Sequence, residues 1–237
     1  IRYGDDFIFG IPKTGSTSLR AVLGQYNYHY ESGELLSNTY AVIRNPFDRF
    51  ISGFLEVESR LRRPGHATER FYSSLNECSS IDEKFVRFFE LSREKLLDLH
   101  VVPQECFLIS STSTRQVENV RLVCFDYMVD HFRLLDASFY EELVNLPHRL
   151  PKSKFVVDRL RTQLISNHEM KTFIQESYER DFTLYHSSVE DYVRKGGQIQ
   201  QRLGLGIFKE NVLKMRDLNH KYWRALRGWK KKLENIK

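Results

Sequence analysis

Apolar positions fall along the chain in two rhythms. Short unbroken runs at Phe7–Ile11 and Tyr40–Ile43 read as strands buried on both faces, and a third stands at Val120–Phe125. Between them the apolar spacing lengthens to three or four residues. It predicts helices over 17–23, 47–58, 81–99 and 127–135. Cys106–Ile109 and Lys154–Val157 read as further strands, and the stretch from Arg159 to Tyr178 as helix. Residues 179–193 continue as one or two helices, Gly196-Gly197 and 204–206 loosen the chain, and a basic helix is expected over about 209–233. Strands alternating with helices favour a central, mainly parallel sheet with flanking helices and a helix-rich C-terminal part.

Composition narrows this picture only a little. With 237 residues, 41% apolar and 28% charged, the chain is ordinary for one α/β domain spanning 1–237. The net charge of +5 favours an anionic ligand, but no nucleic-acid recognition motif accompanies it and no nucleic-acid partner is expected. Cys78, Cys106 and Cys124 stand too far apart for a close zinc pair, so no metal site is expected; one disulfide and three thiols fit the count equally. No apolar run reaches the roughly 20 residues of a membrane span, and an anchor outside the given chain stays open.

The candidate chemistry begins where the first strand turns into a helix. In FIFGIPKTGSTSLRAVL, backbone N–H groups of the turn and the helix start can surround a phosphate. Gly10 and Gly15 permit the tight path, Ser16 and Thr17 offer hydroxyls, and Lys13 adds mobile charge. Gly10 and Gly15 have the spacing of the triphosphate motif GxxxxGK[ST], yet Ser16 stands where that motif needs lysine. The loop therefore suits a single terminal phosphate better than a magnesium-bound triphosphate.

A second anion site follows the second strand in YAVIRNPFDRFISGFLEVE. Arg44 leaves the strand at its carboxyl end, and the Asn45-Pro46 turn can bring Ser52 toward the same anion. Arg49 either assists or pairs with an acidic neighbour.

Together PKTGST and RNPFDRFIS resemble the paired motifs of sulfotransferases that use 3′-phosphoadenosine 5′-phosphosulfate, above all the Golgi-type carbohydrate enzymes. HVVPQ at 100–104 and DFTLY at 181–185 resemble further segments of the same enzymes. The resemblance implies a P-loop-like three-layer fold and transfer of a sulfuryl group to a hydroxyl, with 3′-phosphoadenosine 5′-phosphate as product. By the same resemblance Pro12, Lys13, Thr14, Gly15, Ser16, Thr17 and Ser18 hold the 5′ side of the donor, and Arg44 and Ser52 its 3′-phosphate. VRKGG faintly resembles a late 3′-phosphate loop, which adds Arg194 and Lys195. The acceptor implied is a carbohydrate, and the location is the Golgi lumen if targeting follows the family, otherwise the cytoplasm.

Within this reading Lys13 neutralises charge on the leaving oxygen, and a base takes the acceptor proton. His100 is the favoured base, with Glu56 and Glu58 as rivals that point in different directions along one helix. Arg60, Arg62 and Arg63, with His66 nearby, form a candidate surface for an anionic acceptor or a solvated helix end. Two other readings remain open: a nucleotide-dependent phosphoryl transferase, and a nucleotide- or glycan-binding module without transfer chemistry.

Overall fold

The computed structural model describes residues 1–3, 6–23, 38–63, 72–94, 98–108, 119–139, 143 and 154–203. They form a mixed α/β structure that is mostly helical. The expected basic helix over 209–233, and His66, lie outside the described residues. The chain divides into two compact units, Ile1–Ser188 and Val189–Lys237.

The sheet has four strands in sequence order: β1 (Arg2–Tyr3), β2 (Asp6–Phe9), β3 (Asn38–Ile43) and β4 (Val120–Cys124). Strands β2, β3 and β4 run parallel, and β1 pairs antiparallel with β2. Pairing sets Phe9 beside Ala41 and Ile43 beside Cys124, so the three parallel strands present their carboxyl ends along one edge. Side chains on β3 alternate between two apolar layers. Tyr40 and Val42 join Ile8, Leu19, Val123 and Phe132 on one face, whereas Ala41 and Ile43 join Ile11 and Leu108 on the other. Burial on both faces explains why YAVI carries no polar alternation.

Seven α-helices are seen among the described residues: α1 (Ser16–Leu23), α2 (Pro46–Leu61), α3 (Ile81–Arg93), α4 (Met128–Leu134), α5 (Lys154–Ser166), α6 (His168–Ser177) and α7 (Glu179–Leu203). Asn45 caps α2 by accepting from the Phe47 N–H, with Pro46 in the first turn, where a missing donor costs nothing. The buried side of α2 builds an aromatic core against α3, with Phe54–Phe85 and Phe50–Phe88 ring centroids 5.0 and 5.4 Å apart.

Four expectations need correction. Of the strand expected over Cys106–Ile109, the described residues Cys106–Leu108 lie instead in a 3-10 helix, Gln104–Leu108, its first N–H groups held by a distant carboxylate described below. Lys154–Val157 is the first turn of α5, because Leu160 and Leu164 extend its apolar spacing into a buried helical face. Gly196 and Gly197 do not loosen the chain: α7 continues through them to Leu203. The helix expected over 159–178 is also broken at Asn167, whose side chain caps α6. All three cysteines are free thiols.

One glycine sets the spacing on which the site depends. A Cβ at Gly53 in α2 would lie 2.4 Å from Val101 Cγ1 and 3.0 Å from the His100 carbonyl oxygen. Its absence lets the turn carrying His100 lie directly on the helix. Gly53→Ala is predicted to lower stability by about 1–2 kcal/mol, overpacking outweighing the gain in helix propensity. Thermal unfolding measures the loss; an unchanged or raised Tm would remove this role.

Candidate functional site

The two anion motifs, 31 residues apart at Lys13 and Arg44, meet at the edge formed by the strand ends. β2 leads into the loop 10–15 and then α1; β3 leads through Arg44 and Asn45 into α2. Both helices therefore begin beside the same edge, and their N-terminal dipoles favour an anion there. Arg44 Nη1 donates to the Lys13 carbonyl at 3.1 Å, tying the second motif to the first.

Inside the first loop, Lys13 has φ of 66° and Gly15 φ of 83°. Left-handed residues at alternate positions bend the backbone into a concavity of the kind whose N–H groups hold anions. Glycine adopts this at no cost, whereas for lysine it is strained. At Gly15 a Cβ would also meet Met128 Sδ at 3.3 Å and the Phe125 ring at 3.4 Å. The end of β4 thus closes over the loop. Thr14 turns inward: its hydroxyl is buried and donates to the Ile11 carbonyl at 2.9 Å, so it braces the loop. Ser16 is buried, Pro12 and Ser18 are half-buried and Thr17 is exposed.

Arg44 lies over the Phe125 ring, 4.6 Å from its centroid, and no carboxylate among the described residues pairs with it. Burial pulls its pKa down, against the fields of Asp48 and Asp126. A desolvated guanidinium with no carboxylate bonded to it among the described residues is chemically suited to an anionic ligand. Ser52 is half-buried on α2, two turns beyond the Asn45 cap.

Arg49 takes a role that the motif did not announce. It is 1% exposed, donates from Nε to the Pro12 carbonyl at 3.1 Å and from Nη1 to the Val102 carbonyl at 2.6 Å. It pins the loop 10–15 to the segment around Val102, and burial draws its pKa down to about 10. No acidic partner is bonded to it among the described residues.

HVVPQ and DFTLY, far apart in sequence, meet here through Gln104 and Asp181. Gln104 accepts from the Arg44 N–H and donates to the Arg44 carbonyl, both at 2.9 Å, as a strand neighbour would. Asp181 is fully buried and accepts from the Gln104 and Glu105 N–H groups at 2.7 and 2.9 Å. Tyr178 donates to the Val101 carbonyl at 2.6 Å. The quoted segments drew attention to these stretches, but the contacts are long-range and no local spacing announces them.

On the exposed side of α2, Ser52, Glu56 and Arg60 recur at four-residue intervals on one half-buried stripe. Glu56 receives Lys13 Nζ on Oε2 at 2.9 Å and Arg60 Nε on Oε1 at 3.0 Å. Arg60 Nη2 stands 3.0 Å from His100 Nε2, and His100 Nδ1 bonds to Asp98. One continuous chain, Lys13–Glu56–Arg60–His100–Asp98, therefore joins Glu56 and His100 to the lysine of the first loop. Burial by itself would raise the Glu56 pKa, but the hydrogen bonds and charges of Lys13 and Arg60 outweigh it and hold it at about 2. Asp98 is likewise lowered: burial opposes, and bonds from His100 prevail.

The remaining predicted residues have bonded partners or places of their own. Glu58 is buried and its carboxylate is taken by Arg62, an i,i+4 pair on another side of the helix. Of the expected arginine surface, Arg60 and Arg62 are thus internally paired, and Arg63 is exposed beyond the end of α2. Arg194 and Lys195 belong to the second unit, where α7 replaces the expected turn and both pair with Asp191.

Comparison with protein-family models, with curated proteins and with solved structures finds no match to this chain.

Proposed function

We propose that this chain is a sulfotransferase, moving a sulfuryl group from 3′-phosphoadenosine 5′-phosphosulfate to a hydroxyl, with a carbohydrate as the acceptor class. One observation carries the reading. Two cationic loops meet at the ends of adjacent parallel strands, with Arg44 desolvated, free of any carboxylate partner among the described residues and bonded to the Lys13 carbonyl. A donor with an anion at each end of one nucleoside fits that pair. The strand–loop–helix unit around Lys13 is accordingly taken as P-loop-like, within a three-layer arrangement.

In the proposed reaction the loop 10–15 and the start of α1 hold the 5′-phosphate side, while Arg44 and Ser52 hold the 3′-phosphate. Lys13 moves from Glu56 to the bridging oxygen and offsets the charge that develops as its bond to sulfur breaks. The acceptor oxygen bonds to sulfur, and its proton passes to Glu56 Oε2, the oxygen uncovered as Lys13 leaves, with His100 held beside it by Arg60. Incubating the chain with sulfur-labelled donor and a panel of glycans, alcohols and phenols tests the reading. Label transferred to a glycan hydroxyl is expected. Magnesium-dependent ATP hydrolysis without donor recognition would instead favour a phosphoryl transferase, and donor binding without transfer a binding module.

The base assignment has its own test. His100→Ala and Glu56→Ala are each predicted to slow single-turnover transfer by about 100-fold, the usual worth of general-base assistance. Affinity for 3′-phosphoadenosine 5′-phosphate should stay near wild type in His100→Ala. Transfer at wild-type rate in His100→Ala, with the loss confined to Glu56→Ala, would leave the carboxylate as the base.

A further inference from the structure

We propose that Arg60 is a positioning residue for the transfer step, holding Glu56 and His100 as one acceptor-side unit after Lys13 turns to the donor. The inference rests on the sulfotransferase reading. At rest the two oxygens of Glu56 are divided, Oε2 to Lys13 and Oε1 to Arg60. When Lys13 follows the leaving oxygen, Oε2 is uncovered while Oε1 remains on the arginine. The carboxylate therefore stays in place instead of swinging after the lysine.

The other arm of the same guanidinium sets the imidazole. An arginine N–H can only donate, so the 3.0 Å contact makes His100 Nε2 the acceptor. Nδ1 then carries the ring proton and gives it to Asp98, whose second contact is the His100 backbone N–H at 2.9 Å. A lysine at position 60 offers one nitrogen and cannot span both partners. The charged and titratable groups facing this unit are Lys13 from the loop, Glu56 and Arg60 from α2, Asp98 and His100 from the turn, and Tyr72, hydrogen-bonded to Asp98. Glu58 and Arg62 pair with each other instead.

A neighbouring cation favours the ionised form of Glu56. Removing it raises the proton affinity of the carboxylate, so the competent, deprotonated form appears only at higher pH. The acid limb of the rate profile must then move upward.

Single-turnover transfer by wild type, Arg60→Met and Arg60→Lys across pH tests this, alongside calorimetry with 3′-phosphoadenosine 5′-phosphate. Arg60→Met is expected to lose about 30-fold in rate at neutral pH, with product affinity within about threefold and the acid limb raised by about one pH unit. Arg60→Lys should recover part of the rate, with its limb between the two. A rate loss with an unmoved limb in both variants would reduce Arg60 to a structural role, and wild-type rates in Arg60→Met would remove it altogether. Should Arg60→Met fail to fold by circular dichroism, the limb of Arg60→Lys decides alone. A wild-type chain that binds the product but transfers nothing overturns the sulfotransferase reading itself, an outcome separate from an unmoved limb.

Discussion

On the proposed sulfotransferase reading, Lys13→Ala is expected to slow single-turnover sulfuryl transfer by about 1,000-fold, the upper range for losing a preorganised charge at a developing anion. The lysine is the cation carried by the left-handed loop itself, and it is held 2.9 Å from Glu56 until a ligand competes for it. Its removal has two consequences. The leaving oxygen loses its counter-charge, and Glu56 keeps Arg60 as its only bonded cation among the described residues. Donor affinity should fall far less, about tenfold, because the backbone concavity and Arg44 remain. Lys13→Gly separates backbone from charge: it relieves the strained φ of 66° and still lacks the ammonium. It should be at least as stable as Lys13→Ala and equally slow. Rapid-quench measurement with labelled donor checks both variants. Transfer within about threefold of wild type in either would remove Lys13 from the chemistry and with it the main argument for the loop.

What the sequence made legible follows the range of each interaction. β2 and β3 were readable because short apolar runs buried on both faces leave a local signature, β4 because its apolar residues flank a single exposed Arg121, and Asn45-Pro46 announces the start of α2. The two anion motifs were readable as residue types, and their meeting followed from placing both after parallel strands. CFL at 106–108 and KFVV at 154–157 differ from the strand expectation because three apolar residues in a row fit a strand or a helical turn equally. What decides them lies elsewhere: the Asp181 carboxylate for the first, and the buried Leu160 and Leu164 for the second. The arginines after Glu56 repeat the lesson. Glu56–Arg60 and Glu58–Arg62 pairing follows from four-residue spacing alone, whereas the reach of Arg60 to His100 across forty positions does not. Gln104 and Asp181 are the residues that local reasoning missed, since their chemistry is to bond backbone groups far away in the chain.

The largest stability effect is expected at Asp181. Its buried carboxylate accepts the N–H groups of Gln104 and Glu105, and more distantly Gln104 Nε2 at 3.4 Å. Burial pushes its pKa up, while those bonds and the charge of Arg49 act against that rise. Alanine would leave the buried Gln104 N–H and the part-buried Glu105 N–H without an acceptor, and Arg49 without its largest opposing field. At about 1–3 kcal/mol for each orphaned donor, Asp181→Ala should cost about 3–5 kcal/mol, a large part of a typical domain's stability. Asp181→Asn keeps the shape and one acceptor oxygen but turns an NH2 group toward donors, so it should recover only part of the loss. Function should follow through Gln104, which holds both backbone groups of Arg44. Gln104→Ala is accordingly expected to weaken binding of 3′-phosphoadenosine 5′-phosphate at a smaller cost in stability, about 1–2 kcal/mol. Urea unfolding and calorimetry on the three variants measure the two effects independently. An Asp181→Ala protein that unfolds at the wild-type midpoint would show that the 3-10 turn stands without its carboxylate, and unchanged product binding in Gln104→Ala would uncouple that turn from Arg44.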